Sequence, residues 1–290
     1  MSQHSETIDH IISQLGDLPA LPTVVTQVLR LTEDPTSATT DVSNAIQDDP
    51  ALTAKVLRVS NSSYYGMKQY VGTLKLALVI LGVREVRNIV LGISVFETLN
   101  NGKHDLQTAK EIWHNSLKVA GMARKLATNM GLGLQGEEFI AGLLSDIGKM
   151  GLLRILGDKY AHLLDALGEN PALLCSAEDK ALGYTNADVA KALSVLWNLP
   201  QTLADGLWHQ YPCQGRSLGT AKDPMLAAVV RISKLACQRT ATGEVPQAAL
   251  DDFEAWDILS RAKNPIPHDQ RLVVLGDYLD SLSNAPAIAL

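Results

Sequence analysis

The sequence is most informative in the stretch Gly142-Leu143-Leu144-Ser145-Asp146-Ile147-Gly148-Lys149. Its apolar residues have helical spacing, yet a hydroxyl, a carboxylate and an ammonium group interrupt them at Ser145, Asp146 and Lys149. A carboxylate within an apolar helix must be paired or hydrogen-bonded, because burying an isolated charge is costly. Lys149 either offers its ammonium group to a phosphate or lies on a solvated face. The stretch therefore predicts a polar centre inside a helical protein.

Helical periodicity extends over most of the chain on both sides of this stretch. Apolar residues recur at spacings of three and four, and no segment shows the sustained alternation of a β-strand. The sequence therefore predicts an all-α protein, with long helices at Leu106 to Met130, Gly136 to Leu156 and Pro224 to Arg239. Asp49 before Pro50 predicts a further helix start, because a capping carboxylate precedes a proline at the first helical position.

A polar stretch from Asn100 to Asp105 is the best candidate linker. It predicts two helical lobes, residues 1–100 and residues 101–290. With 46% hydrophobic and 19% charged residues, the composition is that of a globular protein rather than a disordered one.

Charge and cysteine content narrow the functional classes. The net charge of −6 opposes non-specific binding to nucleic acid or anionic membranes. Cys175, Cys213 and Cys237 are few and lack metal-ligand spacing, which favours reduced thiols in the cytoplasm. No apolar run approaches the roughly 20 residues that a membrane span needs. We expect a soluble cytoplasmic protein.

Three separated segments carry a resemblance to a known family. They are Leu18 to Pro22, the block from Asp49 through Asn61-Ser62 to Gly82, and the Ser145-Asp146 helix followed by Trp197 to Pro200 and His209. Together they resemble the HDOD family, the HD-related output domain of bacterial signalling proteins, over about residues 16–240. The resemblance implies a two-lobed all-helical fold whose second lobe is related to HD-type metal-dependent phosphohydrolases. It also implies a role in signal transduction.

The same resemblance implies a damaged metal site. An active HD enzyme brings an early His, an adjacent His-Asp pair and a late Asp onto one ion. Here His114 occupies the early position, Ser145 replaces the second ligand, and Asp146 remains. A serine hydroxyl is a poor substitute for an imidazole ligand. An alternative role for Asp146 is a buried polar tie between His114 and backbone donors.

The remaining positions of the implied site are Asn186, His209 and Ser233. Asn186 stands where relatives often carry a His, whereas His209 matches a position where histidines are common. Ser233 is aligned with the late Asp. Since catalytic zinc generally needs three protein ligands and an open position, we predict a vestigial site with no catalytic residue, no cofactor and no resident metal. The pocket candidates are His114, Ser145, Asp146, Lys149, Asn186 and His209.

Three functions remain open from the sequence. The first is a non-catalytic regulatory module that binds a signalling protein or a nucleotide-like signal, such as a cyclic dinucleotide, through an interlobe surface or the relict pocket. The second is a divalent-metal phosphohydrolase in which His114, Asp146 and His209 hold the ion and a bound water attacks a phosphoester. The third, nucleic-acid binding, is disfavoured because no helix with clustered Arg and Lys is apparent.

Overall fold

A computed structural model describes residues 10–13, 20–62, 65, 67, 69–100, 106–134, 136–167, 170–213, 215–238 and 244–283. Within these ranges the regular structure is helical and no β-strand occurs, which confirms the predicted all-α fold. No helix in the described ranges combines the length and the apolar character that crossing a bilayer requires. The predicted linker at 101–105 and part of the 18–22 stretch lie outside the described residues.

The chain divides into two compact units, one built around Pro19–Thr98 and a larger one around Leu99–Leu282. The helices of the smaller unit are α1 (Thr23–Glu33), α2 (Thr39–Gln47), α3 (Pro50–Ser60), α4 (Leu74–Ile80) and α5 (Val83–Asn100). Those of the larger unit are α6 (Leu106–Met130), α7 (Glu137–Leu143), α8 (Ile147–Leu156), α9 (Asp158–Leu167), α10 (Pro171–Leu182), α11 (Asn186–Leu196), α12 (Gln201–Trp208), α13 (Pro224–Ala236), α14 (Gln247–Leu250), α15 (Phe253–Leu259) and α16 (Arg271–Ser283).

Local sequence signals set two helix boundaries in the smaller unit. The Asp49 carboxylate accepts a hydrogen bond from the Leu52 N–H at 3.0 Å, and Pro50 occupies the first position of α3, as predicted. Between α4 and α5, Gly82 adopts a φ of 87°, in the left-handed region that side-chain-bearing residues rarely occupy. The glycine is therefore needed for the backbone turn between these helices.

The amide of Asn61 fixes the segment that follows α3. Its Oδ1 accepts a hydrogen bond from the Val71 N–H at 2.7 Å, and its Nδ2 donates to the Val71 carbonyl at 2.8 Å. Nδ2 also donates to the Leu57 carbonyl at 2.8 Å. Because Val71 is buried, its backbone groups need partners within the protein. Asn61 supplies them from a position ten residues earlier.

Helix α13 is the centre of the larger unit. Every residue from Leu226 to Ala236 is buried, and the helix contacts α6, α7, α12 and α15. A helix that is buried on all sides belongs to the core of its domain. The charged residues Arg231 and Lys234 are carried by this helix into the interior, where their charges require partners.

Two glycines of the Gly142 to Lys149 stretch allow neighbouring helix backbones to approach closely. A Cβ atom on Gly148 would lie 1.7 Å from the Asn186 carbonyl oxygen, and a Cβ on Gly142 would lie 2.6 Å from the Ala120 Cα. Such distances are far inside van der Waals contact, so α8 packs against the start of α11 only because residue 148 has no side chain. The same reasoning applies to residue 142 of α7, which packs against α6.

Candidate functional site

Ser145 and Asp146 lie in a tight turn between α7 and α8. The predicted single helix from Gly136 to Leu156 is therefore wrong at this point. The Ile147 N–H bonds to the Leu144 carbonyl at 3.1 Å, and this three-residue spacing is tighter than that of an α-helix. Asp146 stands immediately before α8, yet its side chain makes no capping hydrogen bond to that helix. Its carboxylate has other partners.

Two lysine ammonium groups hold the Asp146 carboxylate. Lys149 Nζ lies 3.0 Å from Oδ1, and Lys234 Nζ donates a hydrogen bond to Oδ2. Lys234 Nζ is also 3.5 Å from the Ser145 hydroxyl. All four residues are buried, and Lys149 is only 7% exposed, so the solvated face predicted as one alternative for Lys149 is wrong. We call Asp146, Lys149 and Lys234 the ion cluster.

The ion cluster determines the protonation state of its carboxyl group. Burial by itself raises the pKa of Asp146, but the charges of Lys149 and Lys234 outweigh this effect. The pKa of Asp146 consequently lies well below its ordinary value, and the group is a carboxylate at neutral pH. A buried ion pair is favourable only when its charges and hydrogen bonds are well satisfied. Here a single carboxylate has a cation at each oxygen.

A second buried carboxylate, Glu178 of α10, lies within the electrostatic influence of Lys149. Its Oε1 accepts a hydrogen bond from the Tyr160 hydroxyl at 2.5 Å, and its Oε2 accepts one from the Asn186 backbone N–H at 2.7 Å. Burial raises the pKa of Glu178, while these hydrogen bonds and the charge of Lys149 oppose the rise. With Asp146, the region contains two carboxylates and two ammonium groups.

The side-chain amide nitrogen of Asn186, a predicted pocket residue, is held by Glu178, while its Oδ1 is buried without a hydrogen-bond partner. Besides the backbone bond, its Nδ2 donates to both carboxylate oxygens, at 2.9 and 3.2 Å. Asn186 is the first residue of α11, and a carboxylate at a helix N-terminus is stabilised by the helix dipole. The side chain at this position therefore anchors a helix start.

His209, another predicted pocket residue, has both ring nitrogens engaged elsewhere. Nδ1 lies 2.8 Å from the Asp205 carbonyl oxygen, and Nε2 lies 3.0 Å from the Thr220 hydroxyl. Because a carbonyl only accepts, Nδ1 carries the proton in the neutral ring. The Thr220 hydroxyl that faces Nε2 also donates to the Ser217 carbonyl at 2.7 Å. Burial lowers the pKa of His209, so the neutral form is favoured. Nε2 thus faces a protein hydroxyl rather than an open position for a metal ion.

His114 lies half-buried on α6, the helix that also approaches Asp146. Asn115 Nδ2 is 3.4 Å from Asp146 Oδ2, and the Ser116 hydroxyl is 3.5 Å from the same oxygen. Across the described ranges, no three His, Cys, Asp or Glu side chains are grouped so that they could hold a metal ion. Together with the two lysines on Asp146, this arrangement is a poor match for a divalent cation.

Arg216 and Asp188 form a second buried ion pair close to His209 in sequence. Arg216 Nη2 lies 2.8 Å from each carboxylate oxygen of Asp188. Burial raises the pKa of Asp188, but the charge of Arg216 outweighs it and the pKa is lowered. The indole of Trp208 donates to the same carboxylate at 2.9 Å. This pair ties the start of α11 to the segment that follows α12.

The sequence reasoning did not single out Lys234 or Glu178. Lys234 stands directly after Ser233, the residue aligned with the late Asp, and it is Lys234 that contacts Asp146. A lysine inside the apolar run from Leu226 to Ala236 was a usable signal, because a buried ammonium group requires a counter-charge. Glu178 gave no comparable signal.

These features define a class of protein: an all-helical domain with a buried carboxylate held between two lysines in its larger unit. The family model described as "HDOD domain" matches residues 18–212. The chain therefore belongs to the HDOD family.

Solved structures agree with this assignment. An HDOD domain protein of unknown function from Geobacter sulfurreducens is 20% identical, with a TM-score of 0.74 over 96% of this chain and 97% of that one. A candidate phosphohydrolase from Shewanella amazonensis SB2B is 25% identical, with a TM-score of 0.64 over 94% of this chain and 93% of its own. A candidate signal transduction protein from Marinobacter aquaeolei VT8 is 19% identical, with a TM-score of 0.70 over 97% and 66% of the two chains.

A curated relative is less informative about function. An uncharacterized protein of Treponema pallidum (strain Nichols) is 23% identical over 203 residues. The match covers 69% of this chain but only 39% of that longer protein. The solved structures establish the fold, and the family rests on the HDOD domain model.

Proposed function

We propose that this chain is a non-catalytic regulatory HDOD module, which acts by binding a signalling protein or a nucleotide-like ligand. The observation that carries the proposal is the contact between Lys234 and Asp146. Asp146 is the one residue of the implied His-Asp pair that this chain keeps, and an ammonium group stands beside its carboxylate. A protein cation thereby supplies the positive charge that a metal ion would bring to this position.

The remaining candidate ligands support the same conclusion. His209 uses both ring nitrogens in hydrogen bonds, and Asn186 is bound to Glu178. Metal-dependent hydrolysis needs an ion with an open position for water. Placing an ion beside Asp146 would first require displacement of a buried lysine.

The alternative is a metal-dependent phosphohydrolase, the activity suggested by the description of the Shewanella amazonensis relative. The full chain, purified without chelator and incubated with Mn²⁺, Fe²⁺ or Zn²⁺, is desalted and subjected to elemental analysis. The same samples are assayed against a panel of nucleotides and phosphodiesters. We expect far less than one ion per chain and no hydrolysis above the protein-free blank.

Matched histidine variants decide between the two functions if metal is retained. His114→Ala removes the candidate ligand, and His162→Ala removes an exposed histidine as a control. Metal retention with turnover that His114→Ala abolishes and His162→Ala leaves intact would establish the phosphohydrolase. Titration calorimetry with cyclic diguanylate in EDTA tests the nucleotide branch. Binding that needs no metal supports it, and absence of binding assigns the regulatory role to a protein partner.

A further inference from the structure

Cys175 and Cys213 lie side by side in the larger unit. Cys175, Ala187 and Tyr211 form a small buried cluster, and Cys213 packs against this cluster. The two thiol groups are hydrogen-bonded to each other. Cys237 belongs to a different group, the main apolar core around α13. The chain therefore contains one pair of neighbouring thiols and one separate thiol.

The two paired thiols differ in accessibility and in electrostatics. Cys175 is 3% exposed on α10, whereas Cys213 is partly exposed in the segment after α12. The hydrogen bond from Cys175 lowers the pKa of Cys213, and the charges of Arg216 and Arg231 act in the same direction against the effect of burial. For Cys175 the shared hydrogen bond and burial both raise the pKa. Cys213 is thus the thiol with the greater thiolate character, and thiolates are the reactive form.

We propose that Cys213 and Cys175 are a peroxide-sensitive dithiol, in which Cys213 reacts first and Cys175 closes a disulfide. The Cys213 thiolate attacks one oxygen of hydrogen peroxide, the O–O bond breaks, and hydroxide leaves to give the sulfenic acid. The Cys175 sulfur then attacks the sulfenic sulfur and water is released as the S–S bond forms. In sum, two thiols and one peroxide give one disulfide and two waters, and the peroxide is the oxidant.

The location of the disulfide gives it a structural consequence. Cys175 lies three residues before Glu178 on α10, and Cys213 lies three residues before Arg216. Glu178 holds the start of α11 through Asn186, while Arg216 holds it through Asp188. A bond between the two sulfurs would join the two segments that carry these anchors. Oxidation would then change how the start of α11 is anchored.

The test uses the full wild-type chain, reduced, freed of reductant and treated with hydrogen peroxide under native conditions. Free thiols, counted after denaturation, fall from the three of the sequence to one per chain. The intact mass decreases by two hydrogen atoms, and peptide mapping identifies the Cys175–Cys213 cross-link. In Cys237→Ser the same mass loss persists, and in Cys175→Ser it is replaced by a sulfenic acid on Cys213 that dimedone traps.

Two results would overturn the proposal without relying on the folding of any variant. One is a wild-type chain that keeps three reactive thiols after peroxide treatment while a small dithiol in the same tube is oxidised. The other is a cross-link map in which Cys237 or a second chain supplies the partner sulfur.

Discussion

Replacing Asp146 with asparagine measures the contribution of the ion cluster to stability. Asparagine has nearly the same shape and keeps one acceptor oxygen, but it removes the charge between Lys149 and Lys234. These ammonium groups, with side chains 8% and 2% exposed, would be left buried without that carboxylate. Removing one partner of a buried ion pair typically costs about 3–5 kcal/mol. Because Glu178 also interacts electrostatically with Lys149 and remains in place, we expect a loss of about 3 kcal/mol in the free energy of unfolding.

Urea unfolding of the full chain at pH 7, followed by circular dichroism, provides the measurement. The matched control is Asp257→Asn, which removes a carboxylate from an exposed pair with Arg261 whose side chains are both 70% exposed. An exposed pair of this kind contributes at most about 1 kcal/mol. If Asp146→Asn costs no more than the control, the ion cluster does not stabilise the fold and the reasoning fails.

A double variant tests how much of this loss comes from the Lys234 charge that Asp146→Asn leaves buried without a counter-charge. Adding Lys234→Met to Asp146→Asn removes one of the two uncompensated ammonium groups and leaves a side chain of similar length. Part of the lost stability should therefore return, because much of the cost of breaking a buried pair comes from the uncompensated charge that is left behind. A double variant less stable than Asp146→Asn would show that the penalty of Asp146→Asn does not come from the Lys234 charge.

The pH dependence has a defined sign. The folded pKa of Asp146 lies below its ordinary value of 3.8, so its stabilisation is fully present above that pH. The stabilisation is lost as the pH falls from there towards the lower folded pKa. The stability difference between wild type and Asp146→Asn should accordingly shrink below about pH 4 and stay constant from pH 5 to 7.

Three further predictions concern other contacts. Gly148→Ala should cost at least about 2 kcal/mol in urea unfolding because its Cβ would clash with α11, whereas Gly206→Ala, whose Cβ would have ordinary contacts, should be neutral or stabilising. Because the folded pKa of His209 is below its ordinary 6.5, wild-type stability should fall as the pH drops below 6.5, and His209→Gln should flatten this slope, with equal slopes contradicting it. Asn61→Ala should destabilise the smaller unit by about 1–3 kcal/mol through unsatisfied backbone groups, measured by amide exchange of residues 57–71.

The fold was predictable wherever apolar periodicity was strong. The predicted helix at Leu106 to Met130 matches α6, and the cap at Asp49 is confirmed by its hydrogen bond to Leu52. The helix at Thr39–Gln47 was missed because six polar side chains in its nine residues obscure the apolar period. The break at Ser145-Asp146 was also missed, since apolar residues continue through it and the turn is fixed by tertiary contacts rather than by Gly or Pro.

In the candidate site, the proximity of sequence neighbours was predictable, but contacts between distant residues were not. Ser145, Asp146 and Lys149 are neighbours in sequence, so their proximity followed from helical spacing. Alignment placed Ser233 opposite Asp146, whereas the structure places Lys234 there. Successive residues of a helix point about 100° apart, so a shift of one position changes which side chain enters the interior. Sequence spacing alone does not fix that rotation when both neighbours are buried.

On the proposed function, the ion cluster explains how this HDOD fold is stable without a bound metal ion. A carboxylate buried in the larger unit needs positive charge nearby, whatever its source. Lys234 and Lys149 provide that charge from the protein's own side chains, so the fold needs no ion from solution. The same lysines oppose metal binding in a simple variant, because Ser145→His would leave an ammonium group beside the carboxylate. Ser145→His alone should therefore not create metal binding, and at least Lys234 would have to change with it.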